Sequence, residues 1–272
     1  MSSMCRKVLR EALMLGELCD FVIQVSDRDF KTHKIVLCNS SHYFCELFNN
    51  NPEMKVCCLP DVSANVMAVI VEYAYSQSLH VTEETTQLLM ETAECFKIWR
   101  IVSDCSLILQ QNICTNNCIS RIILAEHIAN TSLWLKVSYF ILRHFEDVAK
   151  SCPDFCNLSE GHLKYFIDNS ELNVREERIV FKAMLRWINY ASKERCRFFP
   201  TLMSKVYLSQ MPAEYLINTV CRETMVRRNA RCAAMVTRTL RALCNSYLER
   251  PLDRARSPAE VLLAIGHIST IF

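Results

Sequence analysis

Only three glycines, Gly16, Gly161 and Gly266, occur in 272 residues, and this scarcity constrains the fold more than any other feature. Glycine supplies the positive-φ positions of tight turns and the close backbone approaches of phosphate-cradling loops. A chain nearly without it is poorly suited to strand-rich barrels, and helices joined by short connections are the natural alternative. Leu, Val, Arg, Ile and Ala are abundant, which suits helix interiors and wet helix faces. The length allows two domains of ordinary size, or one domain with a sizeable helical array.

The chain has sixteen cysteines, and its N-terminus, MSSMCRKVLREALML, carries charges through its apolar residues and has no small-residue cleavage site. A reducing, cytoplasmic setting with free thiols is therefore expected. Charge interrupts every apolar run before it reaches membrane-spanning length, so no membrane segment is expected. A net charge of +2 gives the whole chain no electrostatic reason to seek nucleic acid or membrane. The distribution is uneven, with nine arginines from Arg222 to Arg256 against Glu223, Glu249 and Asp253. Such a stretch reads first as a solvated helix face, with nucleic-acid binding the lesser alternative.

Along the chain, Met4, Val8, Ala12 and Leu15 share one helical face, and Gly16 stands where a helix C-terminus favours a left-handed residue. A helix of a dozen residues is marginal alone and needs a partner. Residues 20–25, a polar turn at 26–29 and Phe30-Lys31-Thr32 predict a hairpin, and 54–59 supplies a third strand closed by Pro60-Asp61. From Ser63 the period turns helical, with Val62, Val66, Val69, Ile70 and Tyr73 on one side. Thr82 ahead of Glu83 and Glu84 reads as the N-cap of a helix through Leu88, Leu89 and Ala93. The next helix carries Ile101, Cys105, Ile108 and Leu109.

Polar residues at 111–117 mark a boundary, beyond which helices alone are expected. Leu133, Val137, Phe140, Ile141, Phe145 and Val148 form one stripe, and Pro153 starts a new element. Asn173 with Glu176 resembles a capping box ahead of Ile179, Val180, Ala183, Met184, Trp187 and Ile188. Cys232, Val236, Leu240, Leu243 and Tyr247 line a last long helix that Pro251 ends, with an exposed linker over 250–257. Helices stacked pairwise in this way form a small solenoid-like array.

Four patterns occur in order over 18–75: Leu18-Cys19-Asp20, Phe30-x-x-His33-Lys34-x-x-Leu37, Ser40-Ser41-x-Tyr43-Phe44-x-x-x-Phe48 and Glu72-Tyr73-Ala74-Tyr75. Together they resemble the BTB/POZ domain. Asn117-Cys118-Ile119, Phe140-Ile141-Leu142, Leu172-Asn173-Val174, Leu185-Arg186-Trp187-Ile188 and Met211-Pro212-Ala213-Glu214-Tyr215 resemble the BACK domain that follows BTB in kelch-like proteins. The implied fold is mainly α with a small β-sheet. It comprises an α+β BTB/POZ domain over 1–111, an all-α BACK helical array over 112–250, and a linker with the vestigial start of a kelch repeat over 251–272.

The resemblance implies a dimeric, non-catalytic adaptor, without cofactor or metal, that recruits cullin-3 for a ubiquitin ligase complex. The alternative is a dimerisation module that no longer recruits the ligase and acts through mixed dimers with full-length kelch-like proteins. The stripe of Met4, Val8, Ala12 and Leu15 would pack on the partner subunit. Asp20, read as a buried carboxylate, calls for a cation such as Lys34 nearby in the dimer; the plainer alternative is a solvated strand end. Cullin-3 would dock beside the element after Phe48 and near Tyr75, with its tail in a groove between helices at about 117–130 and 133–149. Ile119, Ile123, Val137 and Phe140 would wall that groove, although an ordinary core needs the same residue types.

Two features depart from the family pattern. The segment after Phe48 is shorter than usual, and where a hydrophobic residue normally stands two before a glutamate, here Glu53 has Asn51. The propeller that captures substrate in kelch-like proteins is represented only by 261–266, with His267 in place of a second glycine. Ser257-Pro258-Ala259-Glu260 taken alone would instead start a helix.

Other chemistry is weaker. Cys114 with Cys118, and Cys152 with Cys156, have a spacing that invites a zinc site, but such sites favour tighter turns and these surroundings suit buried free thiols. Cys196 between Arg195 and Arg197 is a redox candidate or an ordinary exposed thiol. No nucleophile elbow or Ser, His and Asp cluster is present, so no active site is expected.

Overall fold

The apolar strand at 20–25 builds the centre of a small sheet. In the computed structural model, which describes residues 3–26 and 28–245, β1 (Phe21–Val25) turns Phe21, Ile23 and Val25 inward, the period-2 pattern of a half-covered strand. β2 (Arg28–Thr32) pairs with it antiparallel, from Phe21 opposite Thr32 to Val25 opposite Arg28. β3 (Val56–Cys58) pairs parallel on its other side, giving the order β2-β1-β3. Three short strands bury too little by themselves, so helices complete the core.

The chain divides into two compact units, Met1–Asn112 with Leu124–Trp134, and Ile113–Ile123 with Leu135–Phe272. In the first, α1 (Ser3–Leu15) precedes the sheet, and α2 (Lys34–Ser40) and α3 (His42–Asn50) separate β2 from β3. Ser41, between those two helices, is buried. Its hydroxyl oxygen accepts the Phe44 N–H at 3.2 Å and donates to the Phe96 carbonyl at 2.6 Å, so one side chain caps α3 and ties it to a distant segment. Phe48 meets Phe21 edge-on at 4.7 Å, and Phe44 stacks on Phe96 at 5.4 Å.

α4 (Ala64–Ser76) buries Met67, Val71, Ala74 and Tyr75 as well as Val66, Ile70 and Tyr73. The single stripe read from periodicity therefore understates its burial. α5 (Glu83–Cys95) packs on α6 (Trp99–Gln111), which buries Ile101, Cys105 and Leu109. Thr82 holds the N-cap position of α5, but its hydroxyl pairs with the Thr85 hydroxyl at 3.2 Å and makes no backbone cap.

In the helices that follow, the stripe of Leu133, Val137, Ile141, Phe145 and Val148 is buried, with Phe140 half-buried. One expected helix is two, however: α7 (Cys118–His127) is followed by α8 (Thr131–Arg143) and then a separate α9 (Phe145–Ser151). The ladder breaks at His144, where φ is −116° and ψ 27°. The cause is Asn173, whose N–H donates to the Leu142 carbonyl at 2.9 Å and whose amide donates to the Arg143 carbonyl at 3.0 Å. That overturns the capping box. α11 (Glu177–Tyr190) follows α10 (Glu160–Asp168) and begins after Glu176, whose carboxylate pairs with Arg178.

Arg186 on α11 closes the open end of α9 by donating to the carbonyls of Ala149, Lys150 and Cys152. Its neighbour Trp187 is buried, with the indole N–H 2.8 Å from the Leu158 carbonyl and the Arg195 guanidinium 4.1 Å from the ring centre. Pro153 does open a 3₁₀ turn, at its first position. The described chain ends with α12 (Ser192–Arg195), α13 (Phe199–Met203), α14 (Ala213–Tyr215), α15 (Thr224–Arg228) and α16 (Ala230–Asn245). On α16, Cys232 and Val236 are buried and Leu240 and Leu243 half-buried. Tyr247, Pro251, the linker at 250–257 and the strand at 261–266 lie outside the described residues. No described helix is long and apolar enough to cross a membrane.

Candidate interaction surfaces

α1 has two working faces. Leu9 and Leu13 are half-buried on the side that packs against α4, where Arg10 pairs with Glu72. The stripe read from sequence is on the other side: Met4, Val8 and Leu15 are 80%, 57% and 71% exposed, and only Ala12, at its edge, is half-buried. The helix stops at Gly16, whose φ of +67° suits glycine. Glu17 N–H reaches back to the Ala12 carbonyl at 2.9 Å and Gly16 N–H to Leu13 at 3.0 Å, a Schellman stop.

Leu18, two residues on, also has positive φ (57°), and it is 84% exposed. A left-handed non-glycine residue costs roughly 1–2 kcal/mol and persists only where its surroundings impose it. Here His33 does so. Its Nε2 donates to the Glu17 carbonyl at 3.1 Å, because a carbonyl can only accept. Nδ1 is then the acceptor of the Tyr75 hydroxyl at 2.7 Å, while the Tyr75 oxygen accepts the His33 backbone N–H at 3.0 Å. Burial pushes the Tyr75 hydroxyl up to about 12, so it stays a donor at neutral pH. Tyr75 thus sets His33, His33 sets the turn, and the turn sets how α1 is presented.

Within the single chain Asp20 is exposed. Within the chain it meets the Lys34 backbone, accepting that N–H at 2.8 Å at the first turn of α2. The Lys34 ammonium points elsewhere, donating to the Pro52 carbonyl at 2.6 Å and lying 5.3 Å from the centre of the Phe48 ring. Beside it Ile35 is 65% exposed.

The residues expected to meet cullin-3 fall into two sets. Phe48 and Tyr75 are buried, and Ile119 and Val137 are fully enclosed, so they support a surface from beneath. Glu53, Ile123 and Phe140 reach solvent, with Phe140 lying 4.5 Å from the His144 ring. Sequence reasoning missed Leu135 and Tyr139 on the outer face of α8, both more than half exposed. Arg143 donates to the Tyr139 hydroxyl at 2.6 Å. The residues joining α3 to β3 carry no large exposed apolar side chain.

The four cysteines proposed as a zinc alternative do not converge. Burial raises the thiols of both Cys118 and Cys152, Cys118 to about 12. Such thiols keep their protons and are poor ligands. Among the described residues no three His, Cys, Asp or Glu side chains are grouped to hold a metal.

Two known domain families match this chain: BTB/POZ domain over residues 9–113, and BTB And C-terminal Kelch over residues 118–221. Kelch-like protein 3 of Homo sapiens is 27% identical over 271 residues, covering 96% of this chain and 46% of the relative. Kelch-like protein 28 of Mus musculus is 27% identical over 267 residues, covering 94% and 46%. This chain therefore spans about half the length of the curated relatives it matches. Among solved structures, the BTB domain of zebrafish PATZ1 covers 40% of this chain and 92% of its own, at 24% identity and a TM-score of 0.39.

Proposed function

From a chain that carries a BTB/POZ domain followed by a BACK domain, we propose a dimeric, non-catalytic adaptor of the cytoplasm that recruits cullin-3 for ubiquitin ligation. The observation that carries the dimer is α1. Its inner face is satisfied by α4, yet Met4, Val8 and Leu15, with Leu18 and Ile35, leave apolar surface in water. A stripe of that kind marks an interaction surface, and a second copy offers a self-complementary partner under two-fold symmetry. Asp20 and Lys34 lie close to this patch in the chain, and across a two-fold axis they would face the partner's copies.

For cullin-3, the accessible contacts are Glu53 in the first unit and Ile123 and Phe140 in the second, with Phe48, Tyr75, Ile119 and Val137 as their buried supports. Calorimetric titration with the cullin-3 N-terminal region tests this reading. Saturable binding that Ile123→Asp weakens is the expected result, and no heat at concentrations on the order of tens of micromolar contradicts it. One observation favours the alternative module, which dimerises, with itself or with full-length kelch-like proteins, without recruiting the ligase. The connection from α3 to β3 presents no exposed apolar anchor. In that reading the chain dimerises normally but gives no heat with cullin-3.

A further inference from the structure

The basic stretch that the proposed function leaves unused lies in the second unit. Its described part carries six arginines, Arg222, Arg227, Arg228, Arg231, Arg238 and Arg241, against Glu223 alone. All six are exposed, and among the described residues none of them makes an ion pair or a side-chain hydrogen bond. α15 packs on α16, and on α16 the spacing of Arg231, Arg238 and Arg241 puts them on one helical face, away from buried Cys232 and Val236. Along the flank of α16 lies an open groove of about 400 Å³, where the 3₁₀ turn Leu208–Gln210 packs on the helix. Its floor is apolar, from buried Val206 and Leu208 and half-buried Met235, and exposed Arg238 stands at its rim. Lys205, next in the chain, is already paired with Asp168 at 2.8 Å. Glu177, whose carboxylate accepts the Tyr207 N–H at 2.9 Å, is buried. Arg238 is thus the uncommitted charge that the groove presents.

We propose that this groove binds an extended acidic segment of a partner protein. An apolar side chain of the segment rests on Val206, Leu208 and Met235, and a carboxylate beside it takes the Arg238 guanidinium in a bidentate pair. The other arginines supply a field that steers an acidic chain toward the groove. Charge sets the sign of the partner, and the floor favours a peptide over nucleic acid. Single strands are held by aromatic platforms between cations, yet the stretch from Thr224 to Asn245 contains no Phe, Tyr, Trp or His. The only ring among the described residues lining the groove is Tyr207, which is half-buried. A duplex uses phosphate contacts along a basic face and has no need of a recessed apolar floor. None of the groove residues is among those assigned above to the dimer or to cullin-3.

Fluorescence anisotropy with the full chain tests this, using a short fluorescein-labelled peptide in which one leucine is flanked by aspartates and glutamates. The expected result is saturable binding that disappears when the peptide's acids become Asn and Gln, and that weakens about tenfold with Arg238→Glu. Arg222→Glu, outside the groove, should weaken it less. Replacing the peptide's leucine by serine should cost about tenfold on the unaltered chain, a measurement that stands even if a variant folds poorly. No saturable binding, or binding that neither Arg238→Glu nor the serine peptide alters, would overturn the proposal. So would tighter binding of a single-stranded oligonucleotide of equal charge, the mark of a nucleic-acid surface. A fall in the molar mass of the Arg238→Glu variant in solution would overturn it too, by giving the groove to a second copy of this chain.

Discussion

The Tyr75 hydroxyl serves two buried groups at once, donating to His33 Nδ1 and accepting the His33 N–H. Tyr75→Phe leaves both without a partner, at a cost of about 1–3 kcal/mol, and urea unfolding should show that loss. Ser41→Ala removes the cap of α3 and the bond to Phe96 together, and a loss of similar size is expected in the same assay. Stability should also fall with alkali. Tyr75, Cys105 and Cys118 hold their protons until about 12, against ordinary values of 10.0 for Tyr and 9.0 for Cys. Between those limits the unfolded chain binds fewer protons than the folded one, so raising the pH favours unfolding. Urea midpoints should be flat near neutrality and decline from about pH 9 upward; a midpoint that held or rose there would contradict these assignments. His33 and Tyr75 both belong to patterns legible in the sequence, but their pairing across 42 positions is not. Nothing local tells a tyrosine which distant imidazole it will meet.

Secondary structure was legible wherever one periodic face decided it, as for α1, β1 and the buried side of α8. It was not legible where a distant group intervened. Asn173 satisfies a local capping pattern, yet its amide is used on the carbonyls that end α8, which both splits a helix and removes the cap. Arg186 likewise appears in sequence as one member of a pattern, while its three carbonyl partners lie at the end of α9. Arg186→Ala should lower stability by about 1.5–3 kcal/mol, the range for bonds to a charged donor. Arg186→Lys should restore only part, because an ammonium lacks the planar fork. The two faces of α1 give a sharper contrast. Leu13→Ala, on the α4 side, should lower the unfolding midpoint, whereas Val8→Glu, on the exposed side, should leave single-chain stability nearly unchanged and reduce the molar mass in solution.

At the scale of the whole molecule, the glycine-poor composition and the helical faces already indicated a mainly α chain with one small sheet, and the two matched domains agree with that architecture. The interaction sites were less legible. Core and groove walls draw on the same residue types, so Ile119 and Val137 could be separated from Ile123 only by their burial. The proposed dimer that takes up cullin-3 is tested by the light-scattering molar mass of the purified chain during titration with the cullin-3 N-terminal region. A dimer that gains one cullin-3 fragment per subunit is the expected result; a monomer whose mass cullin-3 does not change would overturn the proposal.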